Sequence, residues 1–238
     1  MKKAIVVGAS SGIGRELAKV LSHHEYTVGL TARRVELLQS LQEELSHPSF
    51  IKEMDVAHPT QAMQGLQELI TEMQGVDLIV ISAGIGHINR DLEWQPELST
   101  IETNVSGFSA IANVAIHHFI KQGRGHLVGI SSIAALRGSE VSPAYYASKA
   151  YNSNYLQGLR KKTAKLKLPI TVTEIQPGLV DTAMAQGDGL FWVAPAEKAA
   201  HQIFDAIEKR KKFVYVTRRW RIIAALLKRM PDSVYNKL

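Results

Sequence analysis

What most restricts the fold of this chain is an alternation. Seven short apolar runs, at residues 4–7, 26–31, 50–54, 77–81, 126–131, 170–175 and 213–216, are separated by amphipathic stretches. Inside the runs, Val and Ile follow one another with little polar alternation, as a strand covered on both faces requires. The stretches between repeat at helical spacing, as do Ile13, Leu17 and Val20, or Val35, Leu38, Leu41 and Leu45. Such a chain is expected to build an α/β fold, a parallel sheet with helices on both faces. No Pro/Gly/Ser-rich linker or internal repeat divides the 238 residues. One domain over 1–238 is expected, long enough for a sizeable core.

A composition of 45% hydrophobic and 21% charged residues argues against disorder. The absence of cysteine removes disulfides, thiolate catalysis and cysteine-ligated metal centres. It suits a reducing compartment, and a cytoplasmic location is expected. The basic start, Met1-Lys2-Lys3, leads into an apolar run of four residues, too short for a secretory signal. No stretch reaches the roughly 18 apolar residues of a spanning helix.

After the first run comes Gly8-Ala-Ser10-Ser11-Gly12-Ile13-Gly14, then an amphipathic helix. Glycines here let backbone N–H groups approach a pyrophosphate, which the positive helix end favours. Gly14 allows the helix to lie close on the sheet. The spacing is G-x-x-x-G-x-G rather than the commoner G-x-G-x-x-G, and a tight turn without ligand is the alternative. The second run ends in Ala32-Arg33-Arg34, with no acid before Glu36. That place normally carries an acid for a ribose 2′-hydroxyl or an arginine for a 2′-phosphate. Two guanidiniums suit the phosphate, so NADP(H) is expected over NAD. A solvated pair at a helix start is the alternative, disfavoured because cations sit poorly there.

Ser132 stands at the end of the fifth run, 13 residues before Tyr145, where an open α/β sheet places ligand-binding groups. Tyr145 and Lys149 are four apart and share one helix face. A phenol with its usual pKa near 10 exchanges protons poorly at neutral pH, and a nearby ammonium lowers that value. Tyr146 lacks the four-residue step to Lys149.

With these residues in view, the chain resembles the short-chain dehydrogenase/reductase family. The matches are Gly8-x-x-x-Gly12-Ile13-Gly14, Asp55-Val56, Ala83-Gly84, the set Asn104, Ser132, Tyr145 and Lys149, and Pro177-Gly178-x-Val180-x-Thr182. The resemblance implies a doubly wound, Rossmann-like, seven-stranded parallel sheet. It implies Tyr145 as general acid in reduction and general base in oxidation, and Lys149 lowering its pKa while holding the nicotinamide ribose. Ser132 would bind the substrate oxygen, and Asn104 would hold a proton-relaying water. Asp55 and Val56 would border the adenine, Ala83 and Gly84 the adenosine side, and Pro177 to Thr182 the nicotinamide. Two departures stand out: Val7 where the family usually has threonine, and Ile81-Ser82 where it usually has two asparagines. Both sites brace loops, so altered local stability or cofactor affinity is expected, with activity retained.

Three segments, 86–94, 133–144 and 183–195, are expected to surround the nicotinamide. In the last, glycines allow movement, and Met184, Leu190, Phe191 and Trp192 could close as a lid over an apolar substrate; packing on the body is the alternative. No arginine or lysine lies in this lid, while Arg90 and Arg137 keep an anionic substrate open. The nine histidines show no His-Glu-x-x-His pattern. His117 and His118 are adjacent on a helix and point about 100° apart, as are His23 and His24. No metal is expected.

The net charge of +6 is unevenly placed. Residues 209–229 hold nine Lys/Arg and no acid, so the other 19 bases face 22 acids and the rest of the chain is slightly negative. After the seventh run, a helix over 218–230 carries Trp220, Ile223, Leu227 and Met230 as an apolar stripe among bases, ended by Pro231. This 209–230 extension suits peripheral contact with an anionic membrane; packing on the body or a partner subunit is the alternative. Charge without a recognisable module does not indicate nucleic acid.

The leading expectation is an NADPH-dependent reductase of a fairly apolar carbonyl, reversible as an alcohol dehydrogenase. A 3-oxoacyl-carrier-protein reductase, and a dinucleotide-binding sensor or membrane-docked scaffold, are the alternatives. The resemblance further implies a homodimer or homotetramer through helices at roughly 101–121 and 145–163.

Overall fold

The computed structural model describes residues 1–182 and 191–236. All seven apolar runs are strands: β1 Lys3–Val7, β2 Thr27–Ala32, β3 Ser49–Glu53, β4 Leu78–Ile81, β5 Gly125–Ile130, β6 Ile170–Pro177 and β7 Phe213–Val216. They form one sheet in the order β3-β2-β1-β4-β5-β6-β7, and every pairing is parallel. Expected and observed ends agree within a residue or two, β6 alone running on through Pro177.

The continuous apolar runs are explained by two cores. Ala4, Val6, Val28, Leu30, Val80 and Val128 face one side of the sheet, beneath α1 (Gly12–His23), α2 (Val35–Glu44) and α7 (Ala196–Glu208). Their chain neighbours Ile5, Val7, Ile79, Ile81 and Leu127 face the other, beneath α3 (Pro59–Glu72), α5 (Phe108–Gln122) and α6 (Pro143–Lys165). Successive side chains alternate faces, so a sheet covered twice buries both sets and favours apolar residues at consecutive positions. Each fully buried Leu, Ile or Val contributes roughly 1.5–3 kcal/mol.

A short α4 (Trp94–Ile101) runs through a π-helical turn, Glu102–Gly107, into α5. The chain leaves β1 toward β2 on one side and returns to β4 on the other. That reversal opens a crevice at the strands' carboxyl ends, where ligands of such sheets bind.

The basic C-terminal region is α8 (Trp220–Arg229) and a short α9 (Asp232–Tyr235) after Pro231. Its expected lipid-facing stripe turns inward: Trp220 is 4% exposed, Ala224 is buried, and Ile223, Leu227 and Met230 are half-buried. Ile222 at 61% and Leu226 at 56% point outward instead. The tryptophan offered to a membrane is thus spent on the body. No helix among the described residues is long and apolar enough to cross a membrane.

Candidate active site

The glycine turn is built by close approach. Gly8 N–H and Ala9 N–H both donate to Thr31 O, at 2.8 and 3.0 Å. Gly8 has φ +90°, and a Cβ there would stand 2.5 Å from Ala83 N; one on Gly14 would stand 2.1 Å from Gly8 O. Only glycine permits the loops after β1 and β4 to meet the first turn of α1. Ser11 precedes α1 without a side-chain capping bond, and no acid lies in its first turn. The helix's positive end therefore has no anionic group of its own, and the cradle fits a pyrophosphate. Arg34 Nη2 donates to Ser10 Oγ at 3.1 Å and Ser11 Oγ at 3.3 Å, placing one cation across the loop's mouth. Arg33 beside it is exposed. Ile13 packs on the core below.

Around this cradle, Asp55 Oδ1 accepts from Ala57 N at 3.0 Å and so shapes its own turn. Val56 is buried, its carbonyl against Gly107, where a Cβ would stand 2.3 Å away. The two departures from the family pattern have a simple resolution. Ser82 N and Ala83 N both donate to Val7 O at 2.8 Å, so the brace is main-chain and needs no hydroxyl at position 7. Val7 and Ile81 are free to fill the core.

Asn104 lies in the π-turn, a device that interrupts the helical ladder and recurs at functional sites. Its Nδ2 donates to Ile85 O at 2.7 Å and Ser148 Oγ at 3.0 Å, while Oδ1 accepts from Ile85 N at 2.9 Å. The amide clips the loop after β4 to α6, so both its donors are engaged within the protein. Ser148, inside the Tyr-x-x-x-Lys step, is a partner the sequence reading missed.

Ser132 caps a 3-10 turn, Ile133–Leu136, and accepts from Ala134 N at 3.1 Å. Its hydroxyl acts on Tyr145, in the first turn of α6, favouring the phenolate. The Tyr145 ring lies on Gly86, where a Cβ would stand 2.9 Å from Cδ2; a lone glycine gave no signal for this contact. Lys149 Nζ is 5.6 Å from that ring's centroid and donates to Ile130 O at 3.4 Å. A Cβ on Gly84 would stand 3.2 Å from Asn104 Oδ1 and 3.3 Å from Lys149 Nζ. The four expected residues therefore converge beside Gly84 and Gly86.

The electrostatics differ from expectation. Burial pulls the Lys149 ammonium down to about 8. Burial also holds Tyr145 above its ordinary value, against the lowering effect of the Ser132 hydrogen bond, with Tyr146 raising it slightly further. The expected lowering by Lys149 is not among the causes acting on Tyr145; burial, which disfavours charge, dominates at both groups.

At the end of β6, Gly178 N donates to Val216 O at 2.5 Å, directly after Pro177. Val180 bridges to Ala194, and Thr182 comes beside Gly12, whose Cβ would stand 3.0 Å from Cγ2. Met184 and Leu190 of the expected lid lie outside the described residues. Phe191 stacks on Trp220 at 5.3 Å, and Trp192 meets it edge-on at 6.3 Å. Of the two arginines kept for an anionic substrate, Arg90 is exposed. Arg137 is engaged instead by Met230 O and Asp232, 93 and 95 residues along a chain whose spacing could not foretell it. Among the described residues no group of three His, Asp or Glu assembles as a metal site.

The family model described as short chain dehydrogenase matches residues 2–189. An uncharacterized oxidoreductase of Myxococcus xanthus is 35% identical over 188 residues, covering 77% of this chain and 74% of that protein. An alcohol dehydrogenase from Thermococcus sibiricus, solved with 5-hydroxy-NADP, is similar with a TM-score of 0.81 at 21% identity, over 91% of this chain and 96% of that one. A short chain dehydrogenase/reductase from Burkholderia phymatum, solved with NAD, gives 0.84 at 17% identity, over 94% and 92%. Fold and site define a dinucleotide-binding α/β oxidoreductase. The chain belongs to the short-chain dehydrogenase family.

Proposed function

We propose that this protein is an NADPH-dependent reductase of a fairly apolar aldehyde or ketone, running in reverse as an alcohol dehydrogenase. The observation that carries the reading is the convergence of Ser132, Tyr145 and Lys149 beside Gly84 and Gly86 in the crevice where strand order reverses. The cofactor, when bound, supplies the hydride.

Gly8, Ser10, Ser11, Gly12, Ile13 and Gly14 form the pyrophosphate cradle, and Arg33 and Arg34 take the 2′-phosphate. The NADP derivative in the Thermococcus enzyme favours this choice, and the NAD in the Burkholderia one shows that the fold also takes the other dinucleotide. Asp55 and Val56 border the adenine, and Ala83 and Gly84 the adenosine side. Pro177, Gly178, Val180 and Thr182 lie against the nicotinamide. Ser132 donates to the carbonyl oxygen and Tyr145 gives it a proton. Lys149, protonated below about 8, holds the ribose and favours the phenolate that the transfer leaves. Asn104 keeps the loop after β4 in register with α6 and holds the relaying water. Subunits pair through α5 and α6, where Tyr151 is 39% exposed and stacks on Tyr155 at 5.6 Å.

The test is NADPH consumption against a panel of carbonyls. Tyr145→Phe is expected to lose most turnover yet keep NADPH binding, and undiminished turnover in that variant would overturn the assignment.

A further inference from the structure

The chain after β7 touches both walls of the crevice. On one side, the Trp220 ring lies flat on the Pro177-Gly178 turn: a Cβ on Gly178 would stand 2.1 Å from its ring carbons. The same turn is bonded to Val216, four residues before Trp220. Phe191 and Trp192 pack on that ring, and Arg219 Nη2 donates to Trp192 O at 2.8 Å.

On the other side stands Arg137, at the end of the 3-10 turn that Ser132 begins. Its Nη2 donates to Met230 O at 2.6 Å, its Nη1 lies 3.0 Å from Asp232 Oδ1, and its guanidinium sits 4.7 Å from the Tyr235 ring centre. Tyr235 in turn donates its hydroxyl to Gly138 O at 2.5 Å. Asp232 is largely solvent-exposed, so its ion pair is the weak member. The charged bond to a main-chain oxygen and the stacked ring are the stronger ones.

We propose that residues 217–235 form a two-point strap that sets the distance between the serine loop and the Pro-Gly turn, with Trp220 and Arg137 as positioning residues for the reaction. Neither side chain need touch the reacting atoms. Trp220 acts through Gly178, Arg137 through the 132–138 segment. Enzymes are sensitive to such placement, a shift of about 1 Å costing up to roughly 100-fold in rate. For its turnover measurements the proposal rests on the reductase reading; two other measurements do not.

The experiment uses the full chain. NADPH affinity is read from nicotinamide fluorescence, loop opening from hydrogen exchange over 131–142, and kcat and KM from the best carbonyl of the panel. Trp220→Ala is expected to weaken NADPH about tenfold, and Trp220→Phe to restore most of it. Arg137→Ala is expected to leave NADPH affinity unchanged, speed exchange over 131–142 and lower kcat about tenfold, with KM little altered. Tyr235→Phe, which cuts the separate bond to Gly138 O, should also speed exchange over 131–142, and wild-type exchange there in that variant counts against the strap.

Wild-type NADPH affinity in Trp220→Ala, or unchanged exchange over 131–142 in Arg137→Ala, overturns the strap. Should Trp220→Ala not fold, Trp220→Leu replaces it under the same criterion. A wild-type chain that binds NADPH but reduces no carbonyl refutes the reductase reading instead, and leaves the affinity and exchange measurements decisive for the strap.

Discussion

Replacing Lys149 by methionine should make the protein more stable while destroying its activity. The ammonium is 4% exposed, has one acceptor at 3.4 Å, Ile130 O, and no carboxylate partner among the described residues. Burial alone lowers its pKa from 10.5 to about 8. The folded chain therefore holds this proton less tightly than the unfolded one. The linked cost is about 3 kcal/mol. It is complete below pH 8, is relieved as pH rises from 8 toward 10.5, and is absent above. Methionine keeps the length and removes the charge. Urea unfolding at pH 7 should show Lys149→Met more stable by about 1–3 kcal/mol, the lower figure allowing for imperfect packing. Each kcal/mol corresponds to about 2–4 °C in Tm at this chain length. The difference should shrink between pH 8 and 10, and NADPH-linked turnover should be lost throughout. A variant no more stable than wild type at pH 7, or a difference indifferent to pH, would refute the reasoning.

Two further outcomes test other parts of the molecule. Arg34→Ala should raise the KM for NADPH by about 10- to 100-fold, the worth of one charged hydrogen bond, and leave that for NADH alone; an unchanged ratio would remove Arg34 from the cofactor site. His126 is buried at the foot of β5 with its Nε2 2.8 Å from Thr173 Oγ1, and burial, then Arg210, push it down to about 4 against the opposing pull of Glu208. The unfolded chain takes up this proton first as pH falls, so stability should drop between pH 6.5 and 4 by up to about 3 kcal/mol. Urea midpoints across that range should fall less steeply in His126→Gln, and an equal slope would exclude the histidine.

Much of the site was legible because its signals are local. Four residues make one helical turn, so Tyr145 and Lys149 had to share a face of α6. A glycine trio after a strand has few uses other than close approach, and Gly8 and Gly14 show contacts of that kind. Glu174 shows the opposite case. It reads as an ordinary charge in β6, yet it is buried, accepting from Ser131 Oγ at 3.0 Å and Gln176 Nε2 at 2.8 Å and paired with Arg160 at 3.4 Å. No spacing announces that, since its partners come from the residue after β5, from β6 and from α6.

The C-terminal region marks the same boundary. Its amphipathic pattern determined that α8 would form and bury one face, because a helix with an apolar stripe must cover it. It could not determine what covers that stripe. Trp220 meets Gly178 and Arg137 meets Met230 across 42 and 93 residues, contacts that exist only once the sheet has brought β5, β6 and β7 side by side. Periodicity by itself determined the strands and their two-sided burial; the residues offered to the crevice came from the glycine turn, the Tyr145–Lys149 step and the family resemblance. The tertiary structure decided that the basic tail closes over the body, because folding brings the Pro177-Gly178 turn under Trp220 and Arg137 to Met230 O.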